Sequence, residues 1–153
     1  MSELATPSRI KAILEQHGIN LKHHFGQNFL VDRHYVERIV TAAGVGPDDV
    51  VVEIGPGLGV LTSRLAQLAS KVVAIEIDRE LISALEAILS EHSNVELVNA
   101  DVLKVNWKQL LEQYGIHRFK VVSNLPYYIT TPVLTMLFEQ ELPISAAVVM
   151  VQK

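Results

Sequence analysis

From Val50 onward, short runs of β-branched residues alternate with stretches whose apolar residues recur at helical spacing. The five apolar runs are VVVEI, KVVAIEI, NVELV, KVVS and AAVVMV. The stretches with helical spacing between them are residues 60–68, 80–89, 107–114 and 132–138. Strands that are apolar along their whole length are covered on both faces, as in a parallel sheet with helices on either side. The pattern therefore predicts an α/β fold with a mostly parallel, doubly wound sheet.

The first 45 residues follow a different pattern, with two short amphipathic helices ahead of the first strand. Thr6 and Pro7 suit the cap and the first position of a helix that ends at Gly18. Asp32 suits the cap of a second helix, which ends at Gly44. The loop HHFGQNFL lies between them. This segment therefore adds two helices and a loop beside the sheet.

The composition is that of a single globular domain without disulfides. The chain has 153 residues, 49% of them hydrophobic, which is enough to bury one core. It has no cysteine, which excludes thiolate metal sites and a cysteine nucleophile, and its six histidines show no metal-binding spacing. No apolar run approaches the ~18 residues of a membrane-spanning helix, and the first residues lack a signal-peptide pattern. We therefore expect a cytoplasmic protein without a metal ion.

The charge of the chain is distributed unevenly. The net charge of −4 argues against a broad nucleic-acid surface, since phosphate binding relies on clustered Lys and Arg. Residues 1–40 carry five Lys and Arg against four Asp and Glu, whereas residues 41–153 carry eight against thirteen. A basic contact surface must therefore begin in the N-terminal segment, where the candidates are Arg9, Lys11, Lys22, Arg33 and Arg38.

The first strand ends in the glycine-rich sequence EIGPGLG, residues 53–59. A turn of this kind lets the backbone approach a ligand closely, and the helix after it offers unpaired N–H groups. Its glycines stand at positions 55, 57 and 59, whereas the dinucleotide fingerprint requires a glycine where this chain has Val60. No Gly-Lys-Ser/Thr follows either. The turn therefore favours a ligand without a pyrophosphate.

Acidic residues mark the ends of three successive strands: Glu53, Glu76 and Asp101. Glu76 lies twenty-one residues after Gly55, where a carboxylate accepts hydrogen bonds from ribose hydroxyls, although support for a helix start at Asp78 is an alternative role. Asp101 is positioned to accept from the exocyclic amine of an adenine ring. A groove of acids and glycines suits a ligand with an adenosine, no phosphate and a positive centre, and S-adenosylmethionine is such a ligand.

The fourth strand runs into SNLPYYITTP, residues 123–132. Asn124 stands at the end of this strand, where its side-chain oxygen and a backbone carbonyl can accept the N–H bonds of an adenine amino group and direct its lone pair toward a methyl donor. Pro126 fixes the backbone there, and Tyr127 offers a face for an extruded base. Asn is neutral, so we expect catalysis by positioning and electrostatics, with proton loss to water.

The residues after this motif are given no catalytic role. Tyr128 is expected to serve packing, and Thr130 or Thr131 before Pro132 suits a helix cap. The last helix is accordingly predicted to begin at residue 132.

Five blocks of the sequence together resemble the ribosomal RNA adenine N6,N6-dimethyltransferase family: FGQNFLVD, VVEIGPGLGVLT, VVAIEID, NADVL and SNLPYYITTP. The resemblance extends from about residue 9 to residue 153 and is greatest to the small-subunit branch of the family. It implies a Rossmann-like fold with S-adenosylmethionine as the cofactor. It also implies an enzyme that transfers four methyl groups to two adjacent adenines near the 3′ end of 16S rRNA, within a precursor of the small ribosomal subunit.

Carried onto this chain, the family's motifs imply a cofactor site and a clamp for the target base. The implied cofactor residues are Gln27, Asn28, Leu30, Glu53, Gly55, Gly57, Glu76, Ile77, Asp101, Val102 and Asn124. The first three lie around the methionine part of the cofactor, the glycines lie beneath it, Glu76 is at the ribose, and Asp101 with Val102 is at the adenine. The implied catalytic clamp consists of Asn124, Leu125, Pro126 and Tyr127.

The same resemblance divides the chain into two parts. Residues 1–45 are expected to form a helical segment with a loop that covers the cofactor, and residues 46–153 the S-adenosylmethionine-binding core. Family members continue after the fifth strand with further sheet elements and a small domain that docks on rRNA. We therefore expect a core that is truncated at this point, without the docking domain, in a monomeric protein.

Three other functions remain open from the sequence. A large-subunit rRNA methyltransferase of the macrolide-resistance type would share these motifs, although NLPYYIT and FGQNFL favour the small-subunit type. A DNA adenine methyltransferase uses a clamp of Asn or Asp, two prolines and Tyr, and Leu125 stands where the first proline would be. A non-catalytic RNA-binding assembly factor would retain the fold alone.

Overall fold

The computed structural model describes residues 6–19 and 33–152. Two helices come first, α1 (Pro7–Gln16) and α2 (Arg33–Ala43). The elements after them are β1 (Val50–Ile54), α3 (Val60–Leu68), β2 (Lys71–Glu76), α4 (Arg79–Ile88), β3 (Val95–Asn99), a 3-10 turn (Val102–Lys104), α5 (Trp107–Gln113), β4 (Phe119–Pro126), α6 (Tyr127–Glu139) and β5 (Ile144–Gln152). Each of the five apolar runs forms a strand, as predicted.

The five strands form one parallel sheet in the order β3-β2-β1-β4-β5. Parallel neighbours require crossover connections, and here the direction of the crossovers reverses between β1 and β4. The predicted α/β fold of the Rossmann-like, doubly wound type is thereby confirmed. In sheets of this type, ligands bind beyond the carboxyl ends of the strands, in the crevice at the reversal.

The valines of the three central strands alternate between the two faces of the sheet. Val52, Val73 and Val121 lie in the core beneath α5 and α6, and Val51, Val72 and Val122 lie in the core beneath α2 and α3. All six are completely buried, and burial of each side chain contributes about 1.5–3 kcal/mol. Helices cover both faces, which is why the strand sequences are apolar throughout rather than alternating with polar residues.

The helix α1 packs on α4, and their apolar residues share one buried cluster. Thr6 caps α1 as predicted, because its hydroxyl oxygen accepts from the backbone N–H of Arg9 at 3.3 Å. The Arg9 guanidinium in turn donates to the carbonyl oxygens of Ala87 at 3.2 Å and Ile88 at 3.0 Å, at the end of α4. These bonds hold α1 against the carboxyl end of α4. The predicted cap of α2, Asp32, lies outside the described residues.

The last helix differs from its prediction. It begins at Tyr127, directly after β4, so the prediction of a start at residue 132 was wrong. The Thr130 hydroxyl donates to the carbonyl oxygen of Pro126 at 3.0 Å, one turn back along the helix, and caps nothing. Pro126 occupies the N-cap position, while Pro132 lies inside the helix. The chain therefore changes from strand to helix at the first of these two prolines, which joins Tyr127 rigidly to the end of β4.

Candidate active site

The glycine-rich turn lies between β1 and α3, at the carboxyl edge of the sheet. Gly55 donates its N–H to the carbonyl oxygen of Ile75 at 2.9 Å and then turns the chain with a φ of +71°. Gly59 is the N-cap of α3 with a φ of +81°, and a Cβ there would stand 3.1 Å from Leu85 Cδ2. Glycine is required at both positions. The turn therefore stays close to the sheet, with the backbone of Gly55 exposed.

Glu76, the last residue of β2, connects this turn to the start of α4. Its side chain is only 2% exposed. One carboxylate oxygen accepts from the Gly57 N–H at 3.4 Å, and the other accepts from the Asp78 N–H at 2.9 Å. Burial raises the pKa of Glu76, while the backbone N–H groups of Asp78 and Gly57 oppose that rise. The alternative role for Glu76, support for the helix start at Asp78, is therefore observed, and it leaves the carboxylate at the edge of the crevice.

Glu53 lies one residue before the end of β1 and is opposite Ala74 of β2 in the sheet register. It is 1% exposed, and one of its carboxyl oxygens accepts a hydrogen bond from the hydroxyl of Thr62 in α3. Burial raises the pKa of Glu53 to about 8, the Thr62 bond opposes the rise, and the charge of Glu76 adds to it. Sequence reasoning missed Thr62, whose position in the first turn of α3 was the available signal.

Asn99, at the end of β3, is a second residue that the sequence analysis did not identify. Its side-chain amide donates to the carbonyl oxygens of Glu76 at 2.9 Å and Ile77 at 3.2 Å. Glu76 and Asn99 are also paired in the register of β2 and β3. The Asn99 side chain therefore holds the backbone of Glu76 and Ile77 in place, and with it the position of the Glu76 carboxylate.

Asp101 follows β3 and caps the 3-10 turn after it. One of its carboxylate oxygens accepts from the Leu103 N–H at 3.0 Å. The neighbouring Val102 is 4% exposed and belongs to the core beneath α5 and α6, whereas Leu103 is 42% exposed. Ile77, which follows Glu76, is 63% exposed. Exposed apolar side chains of this kind, close to strand ends, suit contact with a flat aromatic ring.

The strands β1 and β4 separate as they approach the glycine turn. Their register covers only two pairs and ends at Val52 and Val121. Beyond them, the N–H of Ile54 donates to the side-chain hydroxyl of Ser123 at 2.8 Å instead of continuing the ladder. The Ser123 side chain therefore occupies the space between the two strands where the crevice begins.

Asn124, two residues before the end of β4, has an unsatisfied side-chain oxygen. Its Oδ1 is buried and makes no hydrogen bond in the part of the chain that the structure describes. The β1–β4 register ends at Val52 and Val121, three residues before Gly55 and Asn124 respectively. A buried amide oxygen without a donor costs roughly 1–3 kcal/mol, so it calls for a functional explanation. The oxygen is available to accept from a ligand.

The residues after Asn124 continue the predicted clamp. Leu125 is 1% exposed and anchors β4 in the core, and Pro126 caps α6 without an N–H of its own. Tyr127 is 66% exposed and Tyr128 is 55% exposed, and their rings meet edge to face with centroids 6.0 Å apart. Tyr128 therefore packs on Tyr127 at the surface, and Tyr127 keeps much of its ring accessible.

The structure brings most of the predicted site residues to one edge of the sheet. Glu53, Gly55 and Gly57 lie near the end of β1 and in the turn after it, Glu76 ends β2 and accepts from the Gly57 N–H, and Asn124 lies near the end of β4. Asp101, Val102 and Ile77 follow the neighbouring strand ends, and Leu125, Pro126 and Tyr127 follow Asn124. Gln27, Asn28 and Leu30 lie outside the described residues.

Two absences hold for residues 6–19 and 33–152. This part of the chain contains no group of three His, Asp or Glu side chains that could hold a metal ion. None of its helices is both long enough and apolar enough to cross a bilayer.

The sheet order, the glycine turn and the acids after β1, β2 and β3 define the class of Rossmann-like methyltransferases that use S-adenosylmethionine. The polar groups suit that cofactor: two buried carboxyls, an exposed glycine and a buried amide oxygen without a partner in the described residues lie near the carboxyl ends of β1, β2 and β4. The chain belongs to the ribosomal RNA adenine dimethylase family, whose profile matches residues 18–153.

Individual relatives agree with this family. Over its whole length, the chain is 46% identical to the ribosomal RNA small subunit methyltransferase A of Alkaliphilus metalliredigens. The match covers 54% of that protein. The structure of the 23S rRNA methyltransferase ErmE is 38% identical with a TM-score of 0.71, over 82% of this chain and 48% of that one. The structure of a dimethyladenosine transferase from Plasmodium falciparum is 30% identical with a TM-score of 0.68. This match covers 82% of this chain and 44% of that one. The chain spans about half the length of the curated relatives it matches.

Proposed function

We propose that this chain carries the cofactor and target-base site of an enzyme that dimethylates the N6 amino groups of two adjacent adenines near the 3′ end of 16S rRNA. The methyl donor is S-adenosylmethionine, and the substrate is a precursor of the small ribosomal subunit. The observation that carries the proposal is the buried Oδ1 of Asn124, which has no hydrogen-bond partner among the described residues. An amino group with two N–H bonds is the partner that such an oxygen lacks.

The cofactor is held by the carboxyl edge of the sheet. Glu76 accepts from the ribose hydroxyls, and Asp101 accepts from the adenine amine through the oxygen that the Leu103 N–H leaves free. Ile77 and Val102 bound the adenine ring. Gly55 and Gly57 lie beneath the methionine part of the cofactor, with Gln27, Asn28 and Leu30 around it in the proposed covering loop.

Asn124 orients the target nitrogen. The lone pair of an adenine amino group is delocalised into the ring, so the nitrogen is a poor nucleophile. The Oδ1 of Asn124 and a backbone carbonyl of the clamp accept its two N–H bonds and hold the lone pair toward the donor. The bound cofactor supplies an electrophilic methyl on a positively charged sulfur. Asn124 is not a base, so positioning and electrostatics carry the catalysis, and the proton leaves to water.

Leu125, Pro126 and Tyr127 complete the clamp. Leu125 anchors β4, and Pro126 sets the direction in which the chain leaves the strand. The accessible ring of Tyr127 stacks on the extruded adenine, an interaction worth roughly 1–3 kcal/mol per base. A flat ring at this point also selects a base that has left its helix.

The rRNA approaches along the N-terminal helices. Lys11 on α1 and Arg33 and Arg38 on α2 are exposed, whereas Arg9 is engaged at the end of α4. Lys22 lies outside the described residues. We propose that residues 1–45 and 46–153 act as the covering segment and the core, in a monomeric, cytoplasmic protein.

The decisive experiment measures transfer of a labelled methyl group from S-adenosylmethionine to undermethylated small subunits by the intact protein. We expect Asn124→Ala to lower the rate at saturating cofactor by on the order of 10²-fold, as for other preorganised polar groups. Glu76→Gln should instead weaken cofactor binding. Glu112→Gln is the matched control, since Glu112 is exposed on α5 and belongs to neither proposed contact surface. Wild-type rates in both site variants would contradict the assignment.

A large-subunit target is the second candidate, because the 23S rRNA methyltransferase ErmE is 38% identical over much of this chain. The 46% identity to a small subunit methyltransferase favours the first. The same assay with large subunits separates the two, since only one substrate should accept label. A folded wild-type protein that binds small subunits but transfers no methyl to either substrate would be an assembly factor instead.

A further inference from the structure

Two carboxyl groups lie buried on neighbouring strands near the carboxyl edge of the sheet, and the charge of Glu76 acts on Glu53. Glu53 is 1% exposed and Glu76 is 2% exposed. Within residues 6–19 and 33–152, no Lys, Arg or His side chain forms an ion pair with either group. Two neighbouring buried carboxylates repel each other and are poorly solvated, so both cannot be ionised cheaply.

The charged groups on the surrounding elements are engaged elsewhere. On α3, Arg64 pairs with Glu37 of α2 at 2.7 Å. On β4, Lys120 pairs with Asp49 at 3.0 Å, at the opposite edge of the sheet. At the start of α4, Asp78 adds a further negative charge near Glu76. Among the described residues, therefore, no protein cation is paired with either Glu53 or Glu76.

The hydrogen bonds differ between the two carboxyls. Glu76 accepts from two backbone N–H groups, those of Gly57 and Asp78, which stabilise a carboxylate. Glu53 accepts from one hydroxyl, that of Thr62. The proton that one of the pair must hold therefore resides on Glu53, in agreement with the rise of its pKa to about 8.

We propose that Glu53 holds a proton while the crevice lacks a cation and releases it to solvent when S-adenosylmethionine binds, so that cofactor affinity is linked to pH. The inference rests on the proposed function, because it requires this cofactor in this crevice. The cofactor brings a positive sulfur and a positive amino group, which supply the charge that the carboxyl pair lacks. The demethylated product has lost the sulfur charge. It therefore draws the proton from Glu53 less strongly, and its binding is less dependent on pH.

The test is calorimetry on the intact protein between pH 6 and pH 9, in pairs of buffers with different ionisation enthalpies. The wild type should release up to one proton more than Glu53→Gln when S-adenosylmethionine binds near pH 7. Its affinity should weaken by up to about tenfold for each pH unit below 8. The cofactor's own amino group also titrates near these values, but it is common to both proteins and cancels in the difference. Glu112→Gln, at an exposed position of α5 away from the strand ends, should behave as the wild type.

The outcomes separate this inference from the proposed function. Binding that releases equal numbers of protons in wild type and Glu53→Gln would overturn the proton linkage and leave the proposed function standing. Absence of any binding by a folded wild type at every pH would overturn both. If Glu53→Gln does not fold, infrared difference spectra of the wild type decide: cofactor addition should remove the carbonyl band of one protonated carboxyl, and an unchanged band would overturn the inference.

Discussion

The hydroxyl of Ser123 accepts the backbone N–H of Ile54 at 2.8 Å, in a completely buried position between two strands that are separating. The bond satisfies an amide that the β1–β4 ladder no longer reaches. It also links Ile54 and Ser123, the residues that precede Gly55 and Asn124, across the two strands. Ser123 therefore supports the backbone before both proposed site residues.

Ser123→Ala should lower both stability and cofactor affinity. The Ile54 N–H would lose its acceptor in a buried position, at a cost of about 1–3 kcal/mol in the free energy of unfolding. Denaturant unfolding and calorimetric titration with S-adenosylmethionine measure the two effects. Ser145→Ala is the matched control, because Ser145 is exposed and donates to the Phe119 carbonyl at a long 3.4 Å. Equal effects of the two substitutions would contradict the role of Ser123.

Gly59→Ala should destabilise the protein more than Gly115→Ala. Both glycines have positive φ, +81° and +64°, so an alanine at either position costs about 1–2 kcal/mol in backbone strain. Only at Gly59 would the new methyl meet a neighbour, Leu85 Cδ2 at 3.1 Å, whereas nothing lies within 4 Å at Gly115. The crowding should add about 1–3 kcal/mol, measured as the difference between the two unfolding free energies. A difference near zero would show that the turn yields without cost.

Glu53→Gln should change how the stability of the ligand-free protein depends on pH. The pKa of Glu53 is raised from its usual 4.5 to about 8 by folding. Between these values the folded protein binds a proton that the unfolded chain has lost, so stability falls as pH rises through this window and the fall ends above pH 8. Glutamine cannot ionise. As pH rises through this window, the free energy of unfolding of the variant should therefore increase relative to that of the wild type, by up to about 1.4 kcal/mol per pH unit. Chemical unfolding at pH 5 and pH 8 measures this gain.

The control for that comparison is Glu37→Gln. The Arg64 hydrogen bond lowers the pKa of Glu37, so its contribution to stability is present above its usual pKa and is lost only in acid. Between pH 5 and pH 8, the free energy of unfolding of Glu37→Gln should therefore change with pH as that of the wild type does. If the free energy of unfolding of Glu53→Gln also had the same pH dependence as that of the wild type, Glu53 would ionise normally in the folded protein.

Tyr127 should act through the face of its ring. Tyr127→Phe keeps that face and should retain methyl transfer to small subunits, whereas Tyr127→Ala should raise the KM for the subunit about tenfold or more, matching the 1–3 kcal/mol of one stacked base. Cofactor affinity should be unchanged in both variants. Loss of activity in Tyr127→Phe would point to the hydroxyl and would exclude simple stacking.

The end of β4 shows how far sequence patterns reach. The motif SNLPYYITTP identified Asn124 and Tyr127 as candidates, and the Asn124 side-chain oxygen is buried without a partner among the described residues. The helix that follows was predicted five residues too late, at residue 132 instead of Tyr127. Two prolines offered equivalent local signals. The choice of Pro126 follows from the docking of α6 on the sheet, where Val133 and Leu137 enter the core.

The sequence by itself determined the five strands, the glycine turn and the acids at the strand ends, because periodicity and turn chemistry are properties of a few consecutive residues. Only the tertiary structure decided the strand order, the pairing of Glu53 with Thr62, the proximity of Glu53 to Glu76, and the bond from Ile54 to Ser123 across 69 residues. Contacts between residues so distant in the chain depend on how whole elements dock. That docking is set by the shape of the buried core, which no short stretch of sequence contains.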